Sequence, residues 1–223
     1  MDALKNAYKQ LDEAADKAMG LIYGSTAIAL KRYYGYGDIR ISRMLAALIR
    51  AYSEKHTTEK RSMIQILDEE TGVELQVEEG KSYKEYPYLC CEKYEKVIEN
   101  KPISRAKQIY MAQRQVKWVY SLVLASVLVA MHRSYGFSCD RIVKLLERIQ
   151  AIEAEYDHNP ELIAKKCEEE TGVKYDLLGQ STIFIYPVYP MCKKCDKINI
   201  KVCPSCEIRL TYEKQRGISL YDD

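Results

Sequence analysis

Two stretches of chain about 100 residues apart, 18–30 and 118–131, contain no Asp, Glu, Lys or Arg. Each run leads into an aromatic-glycine-aromatic turn, Tyr34-Gly35-Tyr36 or Tyr135-Gly136-Phe137. A segment with apolar residues every three or four positions follows each turn. It holds Ile41, Leu45, Leu48 and Tyr52 in the first half, and Ile142, Leu145, Leu146, Ile149 and Ile152 in the second. That spacing is the stripe of an amphipathic helix. A third helix is predicted to open after Thr58 in the first half. In the second it opens at Asn159-Pro160-Glu161, where Asn caps and Pro takes the first helical position. Both third helices stop at Thr-Gly-Val, with Gly72 or Gly172 as the terminator.

The two halves also share identities in order. Leu21, Ser25, Ala29, Arg32, Arg40-Ile41 and Leu45 return about 100 residues later as Leu122, Ser126, Ala130, Arg133, Arg141-Ile142 and Leu146. Glu69-Glu70-Thr71-Gly72-Val73 recurs as Glu169-Glu170-Thr171-Gly172-Val173, one residue out of step. Such a run of matches predicts a tandem repeat. The expected fold is mainly α, a tandem pseudo-twofold repeat of three-helix units with a small C-terminal zinc-bound β hairpin. Residues 1–75 form repeat one, 76–104 a connector, 105–178 repeat two, and 179–223 the zinc-knuckle β element and tail. The uncharged helices pack at the centre, as in an internal homodimer. Both runs are shorter than the roughly 20 residues of a membrane span, so they read as core helices and no membrane partner is expected.

The strongest chemical signal lies in the tail. Cys192, Cys195, Cys203 and Cys206 form two CxxC pairs across a seven-residue spacer. Two such pairs supply four thiolates with no open position, the donor set of one structural Zn(2+). Disulfides and a redox dithiol are the rival readings. The start, Met1-Asp2-Ala3-Leu4-Lys5, has the look of a cytosolic helix rather than a secretory leader, which disfavours disulfides and predicts a cytoplasmic protein. Residues 198, 200 and 202 alternate as in a strand, and 182–189 is rich in β-branched and aromatic residues, which suggests a zinc-clipped hairpin. Cys90, Cys91, Cys139 and Cys167 have no ligand spacing and read as apolar fillers, with a site at the vicinal pair as the alternative.

With 223 residues, 47% of them hydrophobic, the chain can bury a full core, and its formal net charge of +2 does not by itself point to nucleic acid. Basic residues are nevertheless grouped. Arg40, Arg43 and Arg50, and Arg141, Lys144 and Arg148, lie near one face of each second helix. With the short turn before them they admit a helix-turn-helix reading. The alternative is a solvated basic face. Lys193, Lys194, Lys197 and Lys201 make the tail basic, and Tyr186, Tyr189 and Tyr212 are placed to stack on exposed bases or simply to coat a stapled tail. The chain holds 19 Tyr against 2 Phe and 1 Trp, an excess suited to contact surfaces.

Catalytic signatures are missing. The three histidines, His56, His132 and His158, fit no metal or triad motif, and there is no nucleophile elbow, phosphate loop or dinucleotide fingerprint. The acidic triplets at 68–70 and 168–170 read as solvated helix ends, because consecutive helical residues point apart. An enzyme and a small-molecule substrate are therefore not expected.

The order Leu30-Lys31-Arg32-Tyr33-Tyr34-Gly35-Tyr36-Gly37, Arg40, then Glu69-Glu70-Thr71-Gly72-Val73 resembles a module of small uncharacterised proteins from phages and mobile elements of Firmicutes, there usually in one copy. In the second copy here Ser138 replaces the second glycine. The resemblance implies an accessory role in a mobile element and carries over no catalytic residue. In general character the chain is similar to anti-CRISPR proteins. The expected function is a zinc-stabilised interaction protein that blocks a host nucleic-acid-handling complex. A DNA-binding transcription regulator is the alternative, and a scaffold role comes third.

Overall fold

The structure is a computed structural model and describes residues 2–55, 62–78, 80–86, 104–178 and 182–186. These residues are mainly helical. Their elements are α1 (Ala3–Tyr34), α2 (Asp38–Lys55), α3 (Met63–Thr71), β1 (Gln76–Glu78), β2 (Lys81–Ser82), a 3-10 turn (Tyr83–Glu85), α4 (Arg105–Tyr135), α5 (Cys139–Glu155), α6 (Pro160–Thr171), β3 (Lys174–Leu178) and β4 (Thr182–Tyr186). Three helices followed by an antiparallel hairpin thus occur twice in order.

Local chemistry at the boundaries also recurs. Gly35 (φ 65°) and Gly136 (φ 66°) take the left-handed conformation that a side chain disfavours, and their N–H groups turn back onto the carbonyls of Leu30 and Met131. Tyr36 and Phe137 donate to the same two carbonyls at 3.1 and 3.2 Å, which seals the helix ends and aims both aromatics at the core. Each Thr-Gly-Val stop works through its threonine. Thr71 Oγ1 donates to the Leu67 carbonyl at 2.7 Å and accepts from Val73 N–H, while Thr171 Oγ1 donates to the Cys167 carbonyl at 2.6 Å and accepts from Val173 N–H. At the other ends, Ser104 caps α4, Asn159 caps α6 ahead of Pro160, and Ser62 caps α3. The first half's third helix therefore begins at Met63, later than its sequence suggests.

The core is built around α1 and α4, which pack along each other. Ile22, Ala27, Ile28 and Leu30 from α1 and Val123, Ala125, Leu128 and Met131 from α4 are closed to solvent. By length and composition α4 is the one described helix able to cross a membrane, yet 61% of its apolar window is buried by the rest of the protein. The third helices are exchanged: α6 lies on α1 and α3 lies on α4. Strand β1 follows α3 onto α4, and β3 follows α6 onto α1. Ser121 of α4 fixes the first hairpin by donating to the Gln76 carbonyl at 2.9 Å.

One expectation about β structure changes. Gln76–Glu78 and Lys81–Ser82, read as connector, form the first hairpin, which is too short for sequence alternation to mark. The β-rich segment after 182 pairs with Lys174–Leu178 in unbroken register from Lys174↔Tyr186 to Leu178↔Thr182, and the cysteine spacer lies outside the described residues. The four cysteines of the tail lie outside the described residues.

Candidate interaction surface

The paired turns and second helices bring arginine and aromatic side chains into one ribbon. Tyr34 sits at its centre, 5.2 Å from the Phe137 ring and 6.4 Å from the Tyr36 ring. Arg40 stacks over Tyr36 with 3.7 Å between guanidinium carbon and ring centre, and Arg141 stacks over Phe137 at 4.1 Å. Those four residues are turn and helix-start positions that match between the halves. Arg148 lies over Tyr33 at 4.3 Å and over Tyr34 at 5.1 Å, and the Tyr34 hydroxyl donates to the Arg141 carbonyl at 3.4 Å. The ribbon thus crosses from one half to the other.

Arg40, Arg141 and Lys144 are exposed, Arg148 is half-buried, and Tyr33 keeps 48% of its surface. Among the described residues no carboxylate pairs with Arg40, Arg141, Lys144 or Arg148. Stacking fixes the guanidinium plane while its N–H edges stay open to an anion. Arg43 is half-buried, and Arg50 is on α2 with its side chain outside the described residues. Tyr186 ends β4. Tyr189, Tyr212 and Lys193, Lys194, Lys197 and Lys201 lie outside the described residues, as do Cys192, Cys195, Cys203 and Cys206.

Two other arginines behave differently. Arg32 Nε and Nη2 donate to the Glu170 carboxylate at 2.7 and 2.6 Å, and its Nη1 reaches Glu155 at 2.7 Å. Tyr156 hydroxyl accepts from Nη2 at 2.9 Å. In the reciprocal place, Arg133 Nε donates to both oxygens of Glu70, at 3.1 and 2.8 Å, and its Nη2 also reaches that carboxylate. The pairs are matched in exposure, 27% and 26% for Arg32 and Glu170, 26% and 27% for Arg133 and Glu70. Glu70 and Glu170, read from sequence as solvated helix ends, are thus clamps between the halves. The signal for them was present in the recurrence of Arg32 as Arg133 and of Glu70 as Glu170. The aromatic partners of the ribbon were likewise visible only as turn residues.

Two carboxylates on α5 complete the picture. Glu155 is held below the usual carboxylate range by the hydrogen bond from Arg32 and then by Tyr156. Glu153 is buried and pushed up by loss of water, against the opposing pull of the Tyr120 hydroxyl, which donates to its Oε2 at 2.5 Å. His158 Nδ1 stands 3.8 Å from the same oxygen. Glu153 Oε1 has no hydrogen-bond partner among the described residues. His132, in the last turn of α4, bonds through Nδ1 with the Phe137 carbonyl at 2.7 Å, as a helix-end residue should. No group of three His, Cys, Asp or Glu suited to a metal occurs among the described residues.

Comparisons of the chain with family profiles, curated proteins and solved structures found no match.

Proposed function

We propose that this chain is a non-enzymatic interaction protein of phage or mobile-element type. It is built as a tandem pseudo-twofold repeat, stapled at its C-terminus by one zinc ion on Cys192, Cys195, Cys203 and Cys206. Acting in the cytoplasm of a bacterial host, it docks through the arginine–aromatic ribbon onto a nucleic-acid-handling defence complex and blocks it, as an anti-CRISPR inhibitor does. One observation carries the reading: Arg40, Arg141 and Arg148 are held on rings and, among the described residues, have no carboxylate partner. Arginine and tyrosine at such a surface are the residue types that dominate binding energy when a partner desolvates them. The recurrence of helix order, caps and reciprocal clamps supports the pseudo-twofold repeat.

The second reading, a DNA-binding regulator, is favoured by one feature. Arg40 and Arg141 occupy equivalent places at the starts of two second helices, as basic residues do in proteins that meet a duplex about a dyad. Salt separates the two. A regulator binds free duplex or single-stranded DNA at sub-micromolar concentration and weakens by orders of magnitude as salt rises, whereas the blocker does not. We expect weak binding to random DNA at two salt concentrations, together with capture of a host nucleoprotein that the Arg40→Ala/Arg141→Ala/Arg148→Ala protein fails to capture. Strong, salt-sensitive binding to free DNA transfers the function to the regulator. For the staple, elemental analysis of protein purified without added metal is expected to give about one zinc per chain, and metal-free or disulfide-bonded cysteines would remove it.

A further inference from the structure

We infer that the two halves of this chain form an exchanged pair that holds together without the covalent connection between them, and that the arginine–aromatic ribbon is joined into one surface only in that pair. The inference does not depend on what the ribbon binds. It starts from what each third helix touches. The apolar face of α3, with Ile64, Ile66 and Leu67 closed to solvent, is covered by α4 of the other half, and Ile163 and Cys167 of α6 are covered through α1. Among the described residues neither third helix packs appreciably on the first helix of its own half. Separated, each half therefore exposes a third helix with nothing beneath it and a first helix with an empty seat.

The polar contacts follow the same exchange. Arg32 meets Glu170, and Arg133 meets Glu70. Residue i meeting j while j's counterpart meets i's is the signature of a two-fold, self-complementary interface. The proper occupant of each seat is thus the other half of this chain. The ribbon is assembled by the pairing too, since Tyr34 of the first half packs on Phe137 and is covered by Arg141 and Arg148 of the second.

The test cuts the folded full-length protein at a protease site placed within residues 87–103. The halves are expected to co-elute at the size of the uncut chain. Their melting temperature should become concentration-dependent, where that of the uncut chain is not. Arg133→Glu is expected to weaken association of the cut halves about a hundredfold, and adding Glu70→Arg to restore most of it. Two separately eluting folded halves, aggregation on cutting, or a concentration-independent melt after cutting would each overturn the pairing. So would an Arg133→Glu effect that Glu70→Arg leaves unrepaired.

Discussion

Arg32 and Arg133 end on carboxylates, whereas Arg40, Arg141 and Arg148 end on aromatic rings. The first pair is saturated: each guanidinium spends its N–H edges on a glutamate of the opposite half, at about a quarter of full exposure. The second group is positioned by rings. Its ring contacts hold the guanidinium planes, and among the described residues no carboxylate pairs with them. The difference separates two roles for one residue type within a short stretch of chain. Paired arginines contribute to holding the fold, and stacked ones are those that the proposed function assigns to a partner.

The comparison is most exposed to a change at the seam. Replacing Arg32 and Arg133 together by Ala is expected to lower folding stability by about 3 kcal/mol, from roughly 1.5 for each bidentate, partly buried pair. The two clamps share no partner, so their contributions should add. Urea denaturation measures this, and a loss under about 0.5 kcal/mol would put the clamps among ordinary surface pairs.

Next comes the ribbon. Arg40→Ala/Arg141→Ala/Arg148→Ala is expected to cost only about 1.5 kcal/mol of stability, about 0.5 for each exposed cation–ring contact. Binding of the captured partner should fall at least tenfold for each anchor removed, and it is this split between binding and stability that distinguishes the two regions. A triple variant that unfolds as readily as the clamp variant would show that the stacked arginines are structural after all.

How much of this was legible in sequence differs between the two regions. The helix order, the glycine stops and the buried central helices follow from periodicity and from the repeat, because those signals are local or are repeated identities. That α3 lies on α4 and not on α1 was hidden, since an apolar stripe such as Ile64, Ile66 and Leu67 states that it needs a cover without saying whose. The clamps were legible in part. Arg32 and Arg133 were among the residues that recur, but recurrence in sequence gives no partner. Lone helix-end glutamates ordinarily face water, so the Glu-Glu-Thr-Gly segments read as solvated. Basic residues on the second helices were legible as a group, yet the stacking that makes Arg40, Arg141 and Arg148 distinctive requires the turn aromatics, which come from both halves. The first hairpin was missed because Gln76–Glu78 is too short to alternate.

The sharpest form of the comparison lies within α5, where two glutamates two residues apart are shifted in opposite directions. Glu155 has a guanidinium, and its folded-state pKa is lowered. Its contribution to stability is present above the unfolded carboxylate value, roughly 4.3, and is lost as pH falls through the lower folded value. Glu153 has burial, one tyrosine hydroxyl and a histidine at 3.8 Å, and its folded-state pKa is raised. The folded protein therefore holds the Glu153 proton where the unfolded chain has released it, so stability drops as pH rises from the unfolded value to the folded one. Removing each charge should give changes of opposite sign. At pH 7, Glu153→Gln, which keeps an acceptor for Tyr120, is expected to stabilise by about 1 kcal/mol. Glu155→Gln is expected to destabilise by about 0.5 kcal/mol, because its side chain is 47% exposed and solvent screens the pair. Below the unfolded carboxylate value the Glu153→Gln curve should meet that of the parent protein, since both then carry no charge at that site. Thermal melts of the three proteins across pH 4 to 8 decide it. Parallel curves for the two variants would mean that the guanidinium beside Glu155 and the burial of Glu153 do not set the two carboxylates apart, and the division between paired and unpaired charges would fail at the place where it is drawn most finely.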